Sequence, residues 1–395
     1  MRREKLSRLL KISIGRTPSR NEPSYWGTGH PWVSIGDLSS KDVKETKEQI
    51  TDSAVKEARC KIVKKGTLLF SFKLTIGKMG FAGCDLFTNE AIAAFVIKDD
   101  KELNADFLFY ALRSATYGGS NQAVMGKTLN LLSLAEIEIP FPPLDDQIRI
   151  AHLLGKVEGL IAQRKQHLQQ LDDLLKSVFL NMFGDPVRND KGWATGSLSS
   201  YGSFKNGLNF GRGENGATVR YLGVGDFKSK ATLHDINDLA FIDLNELPSA
   251  NYFLQNGDLL FVRSNGNREL VGRCMAVYPG PEKVTYSGFC IRYRILDPAI
   301  QSTYITHLFR SVSFRRVLFQ GGQGANIQNT NQQILSDLRI PLPSDELQSQ
   351  FDAVVTKIES LKSLFEQCLA DLEVLYGSLS QQAVKGELDL CGVNL

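Results

Sequence analysis

Three glycine- or proline-marked patterns are the first places to look for chemistry in this chain. Gly211-Arg-Gly-Glu-Asn-Gly216 matches GxGxxG, the turn that lets a dinucleotide pyrophosphate approach a helix N-terminus. Here the strand-like Val219–Val224 follows it, not a helix, so that reading fails. Gly126-Lys127-Thr128 has the ending of a P-loop, but Asn121 stands where the first glycine belongs and no strand leads in. Phe141-Pro-Pro-Leu144 has the outline of the Asn/Asp-Pro-Pro-aromatic signature of amino methyltransferases. It lacks the polar residue that would accept from the target amine, and no glycine-rich cofactor loop precedes it. The five histidines (His30, His152, His167, His234, His307) show no metal-ligand spacing, and His152 and His167 are expected on a helix surface. No GxSxG elbow occurs. The six cysteines (Cys60, Cys84, Cys274, Cys290, Cys368, Cys391) include no CxxC pair, which predicts reduced thiols, with neither a disulfide scaffold nor a zinc module. The chain reads as non-catalytic and metal-free.

The 395 residues, 42% hydrophobic and 23% charged, fit two or three globular domains. No apolar run reaches the roughly 18 residues of a membrane span. The N-terminal MRREKLSRLLKISIGR lacks the apolar core of a secretory signal, so no membrane partner and a cytoplasmic location are expected. A net charge of +3 does not by itself announce nucleic-acid binding, but the charge is unevenly spread. Lys+Arg against Asp+Glu is 21 to 18 over residues 1–146, 5 to 3 over 147–183, 17 to 14 over 184–345, and 3 to 8 over 346–395. An acidic C-terminal segment therefore offsets a mildly basic remainder, which permits phosphate contact without demanding it.

The elements that position these residues are laid out twice. Trp32-Val-Ser-Ile-Gly-Asp-Leu38 is similar to Tyr221-Leu-Gly-Val-Gly-Asp-Phe227, and Lys65-Gly-Thr-Leu-Leu-Phe70 to Asn256-Gly-Asp-Leu-Leu-Phe261. Gly77-Lys78 matches Gly272-Arg273, Arg113-Ser114 matches Arg310-Ser311, and Ile139-Pro140 matches Ile340-Pro341, with the offset rising from 189 to 201. Such internal repetition decides fold class before local detail does. Each copy opens with short β-rich runs, at 32–35, 67–72 and 93–97, then at 259–263 and 289–295. Helical patches are predicted at 105–114 and 302–317. Trp32 and Tyr221 read as core residues, and Gly36 and Gly225 as turn residues. Each copy is thus predicted to be a compact mixed α and β domain of about 140 to 160 residues.

Each copy ends in a long helix. Leu154, Val157, Ile161, Arg164, Leu168, Leu171, Leu175, Val178 and Met182 recur at alternating spacings of 3 and 4, a heptad seam with one polar position. Adding 201 gives Val355, Ile358, Lys362, Phe365, Leu369, Leu372, Tyr376, Leu379 and Ala383. Pro140-Phe-Pro-Pro143 and Pro341-Leu-Pro343 precede the two helices, and Asp145 or Asp146, and Ser344 or Asp345, are candidate caps. A helix of about 35 residues is about 52 Å long, and its apolar stripe needs a partner. We expect the two helices to pair as a coiled coil. Pseudo-twofold symmetry makes the pair antiparallel, although the periodicity alone would equally suit a parallel one.

The twofold repeat, the paired Gly-Asp and Leu-Leu-Phe segments, Pro142-Pro-Leu-Asp-Asp-Gln-Ile148 before the first helix and Phe183-Gly-Asp-Pro186 after it make a specific set. In these features the chain resembles the specificity (S) subunits of type I restriction-modification systems over essentially its whole length. The second copy departs at Pro343-Ser-Asp-Glu-Leu-Gln348, which lacks the double proline, but it ends in Lys385-Gly-Glu-Leu388 as second helices of the family commonly do. The resemblance implies an α+β fold with target recognition domains at 1–143 and 184–343, spacer helices at 144–183 and 344–388, and a tail at 389–395. Each domain would read one half of a bipartite, asymmetric site in double-stranded DNA. The helices would set the spacer and dock two methyltransferase (M) subunits, with restriction (R) subunits joining them. No cofactor would be held by this chain: S-adenosylmethionine would belong to M, and ATP and Mg to R. A coiled-coil scaffold without DNA readout, or a diverged methyltransferase or nuclease, are the alternatives.

Under that implication, base readers come from exposed loops, with Arg and Lys suited to guanine and Asn and Gln to adenine. The first-domain candidates are Arg16, Thr17, Ser19, Arg20, Lys73, Lys78, Asn121, Gln122 and Lys127. In the second domain they are Asn206, Asn209, Arg212, Arg263, Asn265, Asn267, Arg268, Gln323, Asn326, Gln328 and Asn329. Arg263-Ser-Asn-Gly-Asn-Arg268 stands out as polar, glycine-containing and next to a strand.

Overall fold

The computed structural model describes residues 2–395 except 116, 118–128, 212, 228–230, 268, 321–328, 392, 394 and 395. The chain divides into two compact units, one formed by 1–165 with 367–395, the other by 166–366. The two units have the same plan. In the first, a five-stranded sheet has the order Leu10–Ile14, Ile92–Ile97, Leu68–Ser71, Met79–Ala82, Asp42–Val43. In the second, the order is Gly202–Asn206, Cys290–Ile295, Asp258–Val262, Cys274–Val277, Thr232–Leu233. In both, the short outermost strand pairs in parallel and the other neighbours are antiparallel. A three-stranded sheet accompanies each, built on Trp26–Val33 and on Ala217–Leu222. The middle strands of the larger sheets, such as Leu68–Ser71 and Asp258–Val262, are buried along their whole length, as continuous apolar runs covered on both faces must be.

Several local expectations shift. The strand expected at 32–35 runs Trp26–Val33, and Ile35–Asp37 forms a 3-10 turn. The Asp of each repeated Gly-Asp closes that turn. Asp37 accepts from the Ser34 N–H at 2.8 Å, and Asp226 accepts from the Gly223 N–H at 2.8 Å. The helix expected over 302–317 is two, Ser302–Arg310 and Val312–Gln320. Ser311 takes an extended conformation between them and its hydroxyl donates back to the Leu308 carbonyl, a local bond that competes with helix continuation.

The long helices are Leu144–Phe183 and Asp345–Lys385, each about 60 Å long at 1.5 Å per residue. Every seam residue is buried or half-buried. Within each unit the two helices run antiparallel. In the first, Lys165 meets Glu373 at 2.9 Å, and Ala383 joins Ile150 and Leu154 in the core. In the second, Lys362 meets Asp172 at 2.9 Å, and Val355 and Ile358 join Leu175 and Phe179. The single polar seam position of the second helix is thus an ion-paired lysine. The capping expectation needs correction at the first helix. It begins at Leu144, so Asp145 and Asp146 lie inside its first turn, where their charge favours the helix dipole. At the second helix Ser344 caps, accepting from the Leu347 N–H at 3.4 Å. Gly184 and Gly386 end the two helices at φ +78° and +75°, the left-handed conformation that a side chain disfavours and a helix C-terminus uses. His152 and His167 also depart from expectation. They are half-buried, each with a buried Nδ1, and the His167 ring lies 5.7 Å from Phe365.

The deepest shared device is a glutamine in the first turn of each long helix. Gln147 accepts from the Asn104 N–H at 2.9 Å and donates to the Glu102 and Pro142 carbonyls, both at 2.9 Å. Gln348 accepts from the Gln301 N–H at 2.8 Å and donates to the Ala299 and Pro343 carbonyls at 2.9 and 3.0 Å. Each buried amide ties the start of a long helix to the start of the short helix that packs on it, leaving no amide hydrogen-bonding group wasted in an apolar setting.

Candidate nucleic-acid interface

The candidate readers sit on corresponding loops of the two units. In the first, the chain leaves strand Leu10–Ile14, and the Arg16 N–H donates to the Thr88 carbonyl at 2.8 Å. In the second, it leaves strand Gly202–Asn206, and the Leu208 N–H donates to the Tyr286 carbonyl at 2.9 Å. A second loop follows the central strand of each large sheet. Its base is tied by the Phe72 N–H to the Ala91 carbonyl at 3.0 Å, and by the Arg263 N–H to the Phe289 carbonyl at 2.7 Å. A third segment joins there, since the Leu129 N–H reaches the Phe72 carbonyl and the Thr330 N–H reaches the Arg263 carbonyl, at 3.0 and 2.7 Å.

In the first unit Glu90, which sequence reasoning did not single out, gathers Thr17, Arg20 and Lys73. Burial alone would raise its carboxyl, but the Thr17 hydroxyl and the charges of Lys73 and Arg20 hold it below the usual range. Arg20 is exposed but already partnered. Its guanidinium forks onto Glu48 at 2.5 and 2.9 Å and lies 3.7 Å from the Trp26 ring centre. Trp26 in turn donates to the Ser19 carbonyl at 3.0 Å, and the core residue Trp32 to the Arg16 carbonyl at 3.2 Å. Arg16 and Lys78 are exposed at the surface, while Lys73 is half-buried with its ammonium 5.5 Å from the Phe72 ring. Asn121, Gln122 and Lys127 lie outside the described residues.

In the second unit Asn265 and Asn329 come together. They line one pocket of about 430 Å³ with Tyr221, Ser264, Ser287 and Phe289, and Ser264 pairs with Asn329 as an antiparallel bridge. Asn265 accepts from the Asn267 N–H at 2.7 Å, and Asn267 from the Glu269 N–H at 3.0 Å, the local turn habit of asparagine. Arg263 is half-buried and donates to the Gly288 carbonyl at 3.4 Å. Asn206 and Asn209 are exposed on the first loop. Arg212, Arg268, Gln323, Asn326 and Gln328 lie outside the described residues. Tyr221, expected as core, is half-buried and meets Phe210 edge-on at 5.0 Å.

Phe289 is the residue the sequence hid. Counted as the first residue of a strand, it stands one position before strand Cys290–Ile295 and is 62% exposed. The signal was Ser287-Gly288 just before it, a turn pair that places Phe289 at the edge of the strand.

The model of the type I restriction modification DNA specificity domain matches residues 4–172. The MjaIX specificity subunit of Methanocaldococcus jannaschii is 28% identical over 197 residues, 48% of this chain and 45% of that protein. The chain therefore spans about half the length of that relative. The EcoKI specificity subunit of Escherichia coli K12 is 24% identical over 318 residues, 74% of this chain and 68% of its own. The crystal structure of an S subunit from M. genitalium superposes with a TM-score of 0.58 at 15% identity, covering 97% of this chain and 96% of that one, so the whole two-unit plan is a shared fold. Family domain, relatives and fold together support reading the chain as a type I restriction-modification specificity (S) subunit.

Proposed function

We propose that this chain is the non-catalytic DNA-reading subunit of a type I restriction-modification complex, each globular domain reading one half of a bipartite, asymmetric site. The observation that carries the reading is the twice-built domain, with one topology but different residues on corresponding loops. Exposed Arg16 and Lys78 serve the first half-site, and Arg263, Asn265 and Asn329 the second. Phosphate contacts from the mildly basic domains give register, and base edges give sequence. The paired helices act as a ruler: one residue added moves the far reader by about 1.5 Å and turns it by about 100°. The helix pair docks two M subunits, which carry S-adenosylmethionine and methylate adenine, and R subunits use ATP and Mg. The complex works in the cytoplasm.

Mapping methylated adenines genome-wide, in cells with and without the gene, tests this. A two-part motif with a fixed unread gap, lost with the gene, is expected, and no change in methylation would refute the reading. Four residues inserted within 160–180 should lengthen the gap. Arg263→Ala together with Arg268→Ala should relax one half-site and leave the other intact.

A further inference from the structure

Leu74 is the most exposed large hydrophobic residue among the described residues, at 79%, and its φ of +61° is left-handed. Apart from glycines, only Arg59 and Asn189 share that conformation among the described residues. A bulky side chain disfavours it, and it persists only where the surrounding structure fixes the backbone. Here the fixing is done by Ser71, which is fully buried at the end of strand Leu68–Ser71. Its hydroxyl donates to the Thr75 carbonyl at 2.5 Å and accepts from the Lys78 N–H at 2.9 Å. Its carbonyl accepts from the Gly77 N–H at 2.9 Å, and its N–H donates to the Lys78 carbonyl at 2.8 Å. The loop 72–78 is thus tied at its foot, with Leu74 on its outer turn between half-buried Lys73 and exposed Lys78.

A strained, solvated leucine gains nothing for the fold. Its apolar surface is recovered only when a ligand covers it. Base edges in the major groove offer hydrogen-bonding groups and one apolar feature, the 5-methyl group of thymine. Leucine has no hydrogen-bonding group, so that methyl is the feature it can read. The second unit supports the comparison. Leu74 lies two residues past the tie of the Phe72 N–H to Ala91, and Asn265 lies two residues past the matching tie of the Arg263 N–H to Phe289. One loop position therefore carries an alkyl group in one unit and an amide in the other. We propose that Leu74 is a specificity-determining residue of the first unit, an apolar contact for the 5-methyl group of one thymine in its half-site. This rests on the reading of the chain as a DNA-specificity subunit.

The test uses the full chain assembled with its methyltransferase subunits, and a duplex carrying the two-part motif that methylation mapping returns. Each thymine is replaced in turn by deoxyuridine, which removes only the methyl group. At one position, in the half-site that Arg263→Ala with Arg268→Ala leaves intact, the parent should lose about 4-fold in Kd, the worth of burying one methyl group. Leu74→Gly, whose backbone accepts the left-handed turn, should bind the unmodified motif about 4-fold more weakly and no longer distinguish thymine from deoxyuridine there. Its unfolding midpoint should be no lower than the parent's, which separates a lost contact from a damaged fold. Leu74→Met keeps an apolar side chain and should keep the discrimination. No deoxyuridine effect in that half-site, or an effect that survives in Leu74→Gly, would overturn the contact. So would a rise in 2-aminopurine fluorescence on binding that Leu74→Gly abolishes, since the leucine would then be a wedge between bases. A parent that binds motif and scrambled duplexes equally defeats the DNA-specificity reading itself, whereas a parent that discriminates them without any deoxyuridine effect defeats the Leu74 contact alone.

Discussion

Tyr110, Arg113 and Glu158 of the first unit and His307, Arg310 and Glu359 of the second occupy matching places in one plan, with different electrostatics. In the first, one glutamate from the long helix satisfies both the tyrosine hydroxyl and the guanidinium. In the second, the matching glutamate is drawn 3.2 Å from Lys362, the polar residue of the helix seam, which also holds Asp172. Duplicated domains can keep their backbone while redistributing charge, because sheet register and core burial specify the fold and a surface or cleft charge only has to be offset by something nearby.

What the units share should be equally sensitive in both, and what they do not share should respond in one. The largest effect is expected at the shared glutamines. Gln147→Ala and Gln348→Ala each strand three backbone groups, one fully buried and two partly buried, and should each cost about 3 kcal/mol in denaturant unfolding. A loss confined to one of them would break the equivalence of the two helix starts. Next comes pH. Burial, with the charges of Arg310 and Lys362 nearby, pushes His307 down to about 3, and its ring packs on Phe351. A depressed histidine takes its proton first in the unfolded chain, so its contribution to stability is full above pH about 6.5 and is lost as pH falls towards 3. At pH 5 the loss should be roughly 1–2 kcal/mol. His307→Tyr, which supplies the first unit's residue, should flatten that limb of the unfolding profile, and an unchanged acid limb would show that His307 does not carry it.

Glu158→Gln should cost about 1 kcal/mol, since Arg113 and Glu158 are each more than a third exposed and water screens part of the loss. Glu359→Gln should cost less, because Lys362 keeps Asp172; equal costs in thermal unfolding would remove the contrast. The smallest effect is expected at Phe289. Its counterpart, Ala91, is buried and offers nothing to a ligand. Phe289→Ala should weaken duplex binding by about 1 kcal/mol through lost apolar contact with bases, on the second half-site only, as read by competition between half-site duplexes.

The heptads, the Pro-rich lead-ins and the glycines after Phe183 and Lys385 are local signals, and a helix is a local structure, so its limits could be read closely. The repeat offset, likewise, announced two copies of one domain. The register of the sheets joins strands as far apart as Leu10–Ile14 and Ile92–Ile97, and no spacing along the chain encodes that. The candidate loops were legible as polar, glycine-containing runs. Which of their residues already have partners within the chain was not: Arg20 meets Glu48 and Trp26, both distant enough in sequence that no local pattern announces them.

By itself, then, the sequence determined the number of domains, the long helices and their apolar seams, because those follow from patterns within a few residues of each other. Only the tertiary structure decided that Gln147 and Gln348 bind helix to domain, that Glu90 gathers the first loop cluster and that Phe289 faces solvent. Each of those depends on groups brought together from distant parts of the chain. A side chain's partners in space set its charge state and its freedom to act.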